Sequence, residues 1–229
     1  MLILAVPAFA CDGDLFEPLI PLLRPDFEVE TVVAEAPDMA ACAAAVVAAA
    51  RGRPFVAFGT SFGGHVARET ALRVPDLLRG LVVTGAGAGG VGDRTPYDRR
   101  RRSIEAGETG AMIEEMARRI VFEEEGRGQD AADAFRRMAA RSPTDRLLAQ
   151  NEALLNRPGR TASDLAALTM PALLLWGEAD VFSPPDQGER LAALLPDARF
   201  VRLEACGHLP SLETPMRVAA EIRGRFAGT

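Results

Sequence analysis

The ten residues from Phe55 to Gly64, FVAFGTSFGG, restrict the possible folds of this chain more than any other stretch. An apolar run of strand character leads into a tight turn, and a helical pattern begins directly after it. Gly59 and Gly63 flank Ser61 in the G-x-S-x-G pattern of a nucleophile elbow, a strained turn between a strand and a helix. A side chain at either glycine would collide with its neighbour. The stretch predicts a serine hydroxyl at the C-terminal edge of a sheet, with a glycine-rich turn around an ordinary serine as the alternative.

Strand-like and helix-like segments alternate along most of the chain. The predicted strands are Leu2–Val6, Phe27–Val33, Phe55–Phe58, Leu78–Thr84, Ala172–Trp176 and Arg199–Leu203. The predicted helices are Leu15–Leu23, a helix capped by Asp38 that runs through Ala50, Gly63–Arg73, Pro185–Leu194 and Pro215–Phe226. This alternation predicts an α/β fold with a mostly parallel six-stranded sheet, whose right-handed crossovers place helices on both faces.

The first eleven residues have two possible interpretations. Their apolar run ends in an Ala-x-Ala pattern, as short signal peptides do, but no basic residues precede the run. Leu2–Val6 also has the composition of a buried parallel strand, and we expect a strand there. No other apolar run approaches the length that crosses a membrane, so no membrane partner is predicted.

The composition excludes several kinds of chemistry. The 229 residues contain no lysine, which removes Schiff-base catalysis, pyridoxal phosphate anchoring and phosphate loops of the Walker type. A net charge of −6 argues against a nucleic-acid partner. Cys11, Cys42 and Cys206 show no metal-ligand spacing, and we expect each to pack as a small apolar residue in a reducing compartment, the cytoplasm. No metal or other cofactor is predicted.

One segment, residues 91–160, lacks any strand pattern. Helices are predicted at Glu108–Glu125, Asp130–Arg141 and Thr144–Leu155. Because ligands in open α/β sheets bind beyond the carboxyl ends of the strands, this insertion predicts a lid over a core of residues 1–90 and 161–229. Helices that merely cover the sheet edge are the alternative. The arginines Arg99–Arg102 indicate a solvated helix start, with recognition of an anionic substrate group as the other possibility.

Two further strand ends carry residues that suit nucleophilic catalysis. Asp180 follows the strand that ends at Trp176, and His208 follows the last predicted strand. A histidine takes the proton of a serine hydroxyl, and a carboxylate on its other ring nitrogen holds the required tautomer. Glu178 competes with Asp180 for the carboxylate role; Asp180 is favoured because it lies farther out along the loop. His65, on the elbow helix, is expected to pack beneath the lid or between helix and sheet.

Three motifs carry a resemblance to a known family: Gly59–Gly63, Gly177–Asp180 and Gly207–His208. In their order of serine, acid and histidine, the sequence resembles the α/β-hydrolase superfamily over nearly its whole length. The resemblance implies a three-layer α/β-hydrolase fold with a helical lid. It also implies a catalytic triad made of the nucleophile Ser61, the acid Asp180 and the base His208.

The resemblance further implies an oxyanion hole of two backbone N–H groups. One belongs to Phe62, the residue after the nucleophile, and the other is assigned to Phe9 in the loop after the first strand. The chain departs from the family pattern in two places. It begins at what resembles the family's third strand, so that six strands remain, and Pro7-Ala8 stands where the family has His-Gly.

The predicted activity is that of a cofactor-free serine hydrolase acting on a small carboxylic ester through an acyl-enzyme. A lactone, thioester or C–C substrate with the same triad is the alternative within the enzyme class, and a non-catalytic ligand receptor is the alternative outside it. Four residues are predicted to line the substrate pocket: Phe182, Leu209, Met112 and Met116. With few charges expected nearby, the pocket is predicted to suit an uncharged acyl chain.

Without the family's first two strands, Phe27–Val33 is predicted to be an edge strand of the sheet. Glu28 and Glu30 then place charges on that edge, which discourage pairing with the edge of another sheet. We therefore expect the main contact of any oligomer to lie elsewhere, while the oligomeric state itself is left open.

Overall fold

Six strands form a single sheet in the computed structural model, which describes residues 1–228. They are β1 (Leu2–Val6), β2 (Glu28–Thr31), β3 (Phe55–Thr60), β4 (Leu78–Thr84), β5 (Ala172–Gly177) and β6 (Ala198–Leu203). Their order is β2-β1-β3-β4-β5-β6, and every neighbouring pair is parallel. The six-stranded parallel sheet predicted from the sequence is confirmed. Thr229, the last residue of the predicted core, lies outside the described residues.

The burial of the strands follows their place in the sheet. Every residue of β1, β3 and β5 is buried, as expected for parallel strands that are covered on both faces. The predicted edge position of the second strand is confirmed, because β2 pairs only with β1. Its two glutamates are paired within the chain: Arg51 Nη2 lies 2.6 Å from Glu30 Oε1, and Arg53 hydrogen-bonds to Glu28. The charges therefore stay on the edge without being buried.

Eleven helices are described. They are α1 (Ile20–Leu23), α2 (Met39–Ala50), α3 (Phe62–Arg73), α4 (Thr95–Glu105), α5 (Thr109–Ile120), α6 (Gln129–Ala140), α7 (Thr144–Leu155), α8 (Ala162–Ala166), α9 (Pro185–Leu194), α10 (Pro210–Glu213) and α11 (Pro215–Phe226). The crossover from β1 to β2 runs in the opposite direction along the sheet from the others, so right-handed connections put α1 on one face and α2, α3 and α9 on the other. The last helix, α11, returns to pack against α1.

Most predicted helices are found within one or two residues, but two predictions are wrong in extent. The predicted helix Leu15–Leu23 is α-helical only over Ile20–Leu23, since Pro18 has no N–H for a hydrogen-bond ladder, while Pro21 is tolerated in the first turn of α1. The predicted helix Glu108–Glu125 ends at Ile120, because the carbonyl of Ile120 accepts the N–H of His208 instead of a helical donor. The helices α4, α8 and α10 have no full counterpart among the predictions.

The three cysteines are buried and form no disulfide, which confirms their expected packing as small apolar residues. None of the described helices has the length and apolar character needed to cross a membrane. Within residues 1–228, the side chains of His, Cys, Asp and Glu form no cluster that could hold a metal ion.

Candidate active site

Ser61 lies in the strained turn that the sequence predicts. Its backbone has φ 55° and ψ −113°, a conformation that residues with side chains rarely adopt. A Cβ atom on Gly59 would lie 2.0 Å from the carbonyl oxygen of Gly63, and one on Gly63 would lie 1.9 Å from that of Val6. The Ser61 N–H donates to the carbonyl of Thr84 over 2.7 Å. The turn is therefore held between β1 and β4, and α3 begins at the next residue.

Asp180 and His208 form a buried pair beyond the ends of β5 and β6. His208 Nδ1 lies 2.6 Å from Asp180 Oδ2. The other carboxylate oxygen, Oδ1, accepts the backbone N–H groups of Phe182 and Ser183, each over 2.9 Å. Both oxygens of Asp180 therefore have fixed partners, and only one faces the imidazole. Glu178, the competing acid in the sequence, is exposed.

Gly85 packs against this pair, and no sequence motif marked it. It follows β4 directly and has φ 61°, so an added side chain would be strained there. A Cβ atom would lie 2.7 Å from His208 Cε1 and 3.3 Å from Asp180 Oδ2. The position after β4 is thus left without a side chain to make room for the imidazole. A glycine directly after a strand that neighbours the elbow is the signal that could have identified it.

The serine and the Asp–His pair meet at one cavity. The strands that carry them, β3, β5 and β6, end at the same edge of the parallel sheet, with β4 between the first two. Ser61 and His208 both line a cavity of about 780 Å³ at this edge. The structure therefore brings together the three residues that the sequence places far apart in the chain.

The two predicted oxyanion donors lie beside Ser61. Phe62 is the first residue of α3, so its N–H has no acceptor within the helix. Phe9 and its neighbour Ala8 line the cavity. The loop that carries them touches the elbow, because a Cβ atom on Gly63 would lie 2.7 Å from the carbonyl oxygen of Pro7.

Glu213, on α10, holds the loop that carries His208 in place, although no sequence motif marks this glutamate. We call residues 207–209 the histidine loop. Its carboxylate accepts three backbone N–H groups: those of Gly207 and Phe122 over 2.8 Å and that of Leu209 over 3.0 Å. Burial raises the pKa of Glu213 above its ordinary value. Two of these donors flank His208, and the third lies just after α5. The carboxylate therefore joins the histidine loop to the helical segment 91–160.

Gly177 offers a test of how tightly the ends of β5 and β6 approach each other. A Cβ atom on Gly177 would lie 1.9 Å from the carbonyl oxygen of Gly207, next to His208. We expect Gly177→Ala to lower the free energy of unfolding by about 3 kcal/mol, because the backbone has to move. Urea unfolding measures the change. Gly224→Ala, on an exposed turn of α11 with no neighbour within 4 Å, should instead raise it by about 0.5–1 kcal/mol. Equal effects of both changes would contradict the close approach.

The cavity walls differ in part from the predicted pocket. Phe182 and Met116 line the cavity as predicted, and the Phe182 ring lies 5.4 Å from that of His208. Leu209 is fully buried and Met112 packs against the core, and neither is among the lining residues. Leu209 is predicted to line the pocket because it follows His208 in sequence. In the structure its backbone N–H donates to Glu213, and its side chain is buried away from the cavity lining.

The expectation of few charges near the pocket is wrong. Three arginines with no carboxylate partner in the described chain line the cavity: Arg100, Arg119 and Arg157. They come from α4, from α5 and from the residues after α7, and the sequence alone does not show which helix faces project over the sheet edge.

The four consecutive arginines on α4 have different surroundings. Arg99 pairs with Glu115 over 2.6 Å, Arg101 pairs with Glu152, and Arg102 is exposed. These three are partly or fully solvated as predicted, but the run lies in the middle of α4 and not at a helix start. Arg100 alone points its guanidinium into the cavity, 4.3 Å from the centroid of the Phe9 ring.

His65 lies on the cavity wall and does not touch Asp180. Its Nδ1 lies 2.9 Å from Arg68 Nη2, which carries protons and therefore donates. Burial lowers the pKa of His65 well below its ordinary value, so the ring is neutral with its proton on Nε2. His65 therefore lines the cavity as a neutral ring whose Nδ1 is engaged by Arg68.

A parallel α/β sheet with a strained serine turn after β3 and an Asp–His pair after β5 and β6 defines the class of α/β hydrolases. A sequence model described as the alpha/beta hydrolase family matches residues 4–221, and the chain belongs to this family.

Relatives within the family have different names. A 2-hydroxy-6-oxononadienedioate/2-hydroxy-6-oxononatrienedioate hydrolase from Cupriavidus pinatubonensis is 30% identical over 170 residues, 66% of this chain and 54% of that protein. A pimeloyl-(acyl-carrier protein) methyl ester esterase from Chromobacterium violaceum is 29% identical over 166 residues, 69% of this chain and 65% of that protein. The chain spans about half the length of the first of these curated relatives.

The solved structures agree on the fold. A thermophilic esterase from Thermogutta terrifontis, with malate bound, superposes with a TM-score of 0.88 at 27% identity, covering 98% of this chain and 88% of that chain. The relatives and this neighbour are hydrolases or esterases by name, and they do not share one substrate.

Proposed function

We propose that this chain is a serine hydrolase of small carboxylic esters, with Ser61 as nucleophile, His208 as general base and Asp180 as the acid that orients it. One observation carries the proposal: the buried pair of His208 and Asp180 opens onto the cavity that also contains Ser61 in its strained turn. The names of the relatives from Thermogutta terrifontis and Chromobacterium violaceum support an ester as substrate.

The proposed reaction needs only these side chains and water. Asp180 Oδ2 accepts a hydrogen bond from the N–H at His208 Nδ1, which leaves Nε2 free to take the proton of Ser61 Oγ. The serine oxygen attacks the ester carbonyl, the bond to the alcohol oxygen breaks, and His208 returns the proton to that oxygen. Water then attacks the acyl-enzyme with His208 again as base, and the free acid leaves. The N–H groups of Phe62 and Phe9 would stabilise the oxyanion in both steps.

We propose that the helical segment 91–160 acts as the lid of this site over a core of residues 1–90 and 161–228. The proposal is supported by three of its helices, which supply cavity-lining side chains from α4, α5 and α7: Tyr97, Arg100, Met116 and Leu154. The three free cysteines suit the cytoplasm as the location.

The same triad serves lactones, thioesters and activated C–C bonds, and the name of the Cupriavidus pinatubonensis relative favours the last of these as a second candidate.

A substrate panel separates the candidates. We expect turnover of p-nitrophenyl esters from acetate to hexanoate and little turnover of the matching anilides. Ser61→Ala protein, prepared in parallel, supplies the background rate. Hydrolysis of a 2-hydroxy-6-oxo dienoate but of no ester would transfer the proposal to C–C cleavage. No turnover of any compound would favour a binding protein.

A further inference from the structure

We infer that the cavity binds a substrate carboxylate remote from the bond that is cleaved, held between the guanidinium groups of Arg100 and Arg157. The inference deepens the proposed function by naming a substrate class, monoanionic esters, and it rests on that function.

The two guanidinium groups flank one aromatic ring at the cavity. The Cζ atoms of Arg100 and Arg157 lie 5.5 Å and 5.4 Å from the centroid of the Tyr97 ring. Arg100 also lies 4.3 Å above the ring of Phe9, in the loop beside Ser61. Stacking on two rings holds the guanidinium in one place without using up its N–H donors. A cation positioned in this way is preorganised for an anion in the cavity.

Neither arginine has an anionic partner within residues 1–228. Arg157 donates from Nη1 to Tyr97 Oη over 2.7 Å and to the carbonyl of Leu154 over 2.8 Å, and its buried Nε has no hydrogen-bond partner. Arg100 reaches only the side-chain oxygen of Asn151, at 3.5 Å. Two like charges beside one ring repel each other, and an unpartnered buried donor costs free energy. A carboxylate between them would offset the repulsion, and its two oxygens match the fork of a guanidinium.

The other charged side chains of the cavity are already engaged or lie at its rim. Arg190 pairs with Asp186 over 2.5 Å. Asp93 is exposed and accepts the N–H of Thr95. Arg119 is exposed and lies over the Phe182 ring at 5.5 Å. The uncompensated positive charge inside the cavity is therefore concentrated at Arg100 and Arg157.

Both the protonation of Arg100 and the state of His65 agree with an anion site. Burial lowers the pKa of Arg100 to about 10, so it stays charged at neutral pH. His65 is neutral and its Nδ1 is engaged by Arg68, so it brings no negative charge to the cavity wall. Within residues 1–228, the one carboxylate that lines the cavity is thus the exposed Asp93, and the arginines offer donors to a ligand.

Matched esters test the inference. Monomethyl glutarate ends in a carboxylate where methyl pentanoate ends in a methyl group, and hydrolysis of either ester releases methanol. We expect kcat/KM for monomethyl glutarate to exceed that for methyl pentanoate at least about 10-fold, the value of one charge-assisted hydrogen-bond pair. Butanoyloxyacetate against ethyl butanoate makes the same comparison with the carboxylate on the alcohol side. The pair with the larger preference shows which half of the substrate faces the arginines.

Single variants assign the preference to the named residues. Arg100→Gln removes the charge, the contacts to the Phe9 and Tyr97 rings and the long contact to Asn151, and should lower kcat/KM for the anionic ester about 10–100-fold more than for the neutral ester. Arg100→Lys should restore part of the preference. Arg102→Gln, on the exposed face of the same helix, is the control and should behave as the unmodified protein. Arg157→Gln should act like Arg100→Gln, provided its melting temperature is retained.

A binding measurement separates this inference from the proposed function. Glutarate titrated into Ser61→Ala protein in a calorimeter should bind, and Arg100→Gln in that background should abolish binding. If glutarate binds but no ester is turned over by the unmodified chain, the hydrolase proposal fails and the carboxylate site stands. If neutral esters are hydrolysed through Ser61 but no anionic ester is preferred and glutarate does not bind, the carboxylate site is wrong and the hydrolase proposal stands.

Discussion

Ser61→Ala is expected to reduce ester turnover by about 10⁶-fold, to the level that the remaining groups of a serine–histidine site support. The loss follows because Ser61 is the group that would form the acyl-enzyme, and the neighbouring hydroxyl of Thr60 is buried and is not among the cavity-lining residues. The variant should fold, since alanine fills less space than serine in the same turn. Steady-state kinetics with a p-nitrophenyl ester measure the loss, and circular dichroism checks the fold.

A phosphonate probe gives the same test without a substrate. It should label one serine, Ser61, and peptide mapping should locate the label there. Ser183 also lines the cavity, with its hydroxyl on the side-chain oxygen of Gln187, so Ser183→Ala is the matched control and should keep full labelling. Labelling that persists in Ser61→Ala protein would rule out Ser61 as the nucleophile.

Asp180→Asn is expected to lower kcat by about 10⁴-fold with the fold intact. The hydrogen bonds around Asp180 give the reason. Phe182 and Ser183 donate to Oδ1, so the asparagine oxygen has to occupy that position, and its NH₂ group then faces His208 Nδ1. His208 must accept this bond, which puts its proton on Nε2, where it cannot take the proton of Ser61. The backbone N–H groups of Phe182 and Ser183 thus force His208 into the tautomer that cannot act as a base.

Glu178→Gln is the control for this prediction. Glu178 lies two residues before Asp180 but is exposed, so its substitution should change kcat by less than about 2-fold, as for most surface positions. Parallel kinetics on both variants at neutral pH make the comparison. A larger loss for Glu178→Gln than for Asp180→Asn would assign the acid to Glu178.

The parts of the site that could be predicted from sequence are those set by local chemistry. The glycines around Ser61 reveal the elbow because backbone atoms approach within contact distance there, whatever surrounds them. The positions of Asp180 and His208 follow from parallel topology, which brings strand ends to one edge. Both features depend on neighbours in sequence or on a general rule of the fold.

The remaining features depend on tertiary contacts that no local pattern encodes. Arg100 is one of four adjacent arginines, and only the packing of α4 decides which of them enters the cavity. The end of α5 at Ile120 is fixed by a hydrogen bond from His208, far along the chain. Glu213 resembles any acid near a helix end until its three backbone donors are seen. Residues 91–160 therefore yield the largest differences between prediction and structure.

The hydrogen bonds between the helical segment and the histidine loop limit how this chain can be recombined with its relatives. His208 N–H donates to the carbonyl of Ile120 over 2.8 Å, and Glu213 holds the N–H of Phe122. Exchanging residues 91–160 together would therefore replace the support of His208, the proposed general base, along with the cavity walls. In a chimera, residues 120–122 and 207–213 should therefore come from the same parent protein. Chimeras that exchange α4 alone, or α6 together with α7, would change the substrate preference and keep the hydrogen bonds that hold His208.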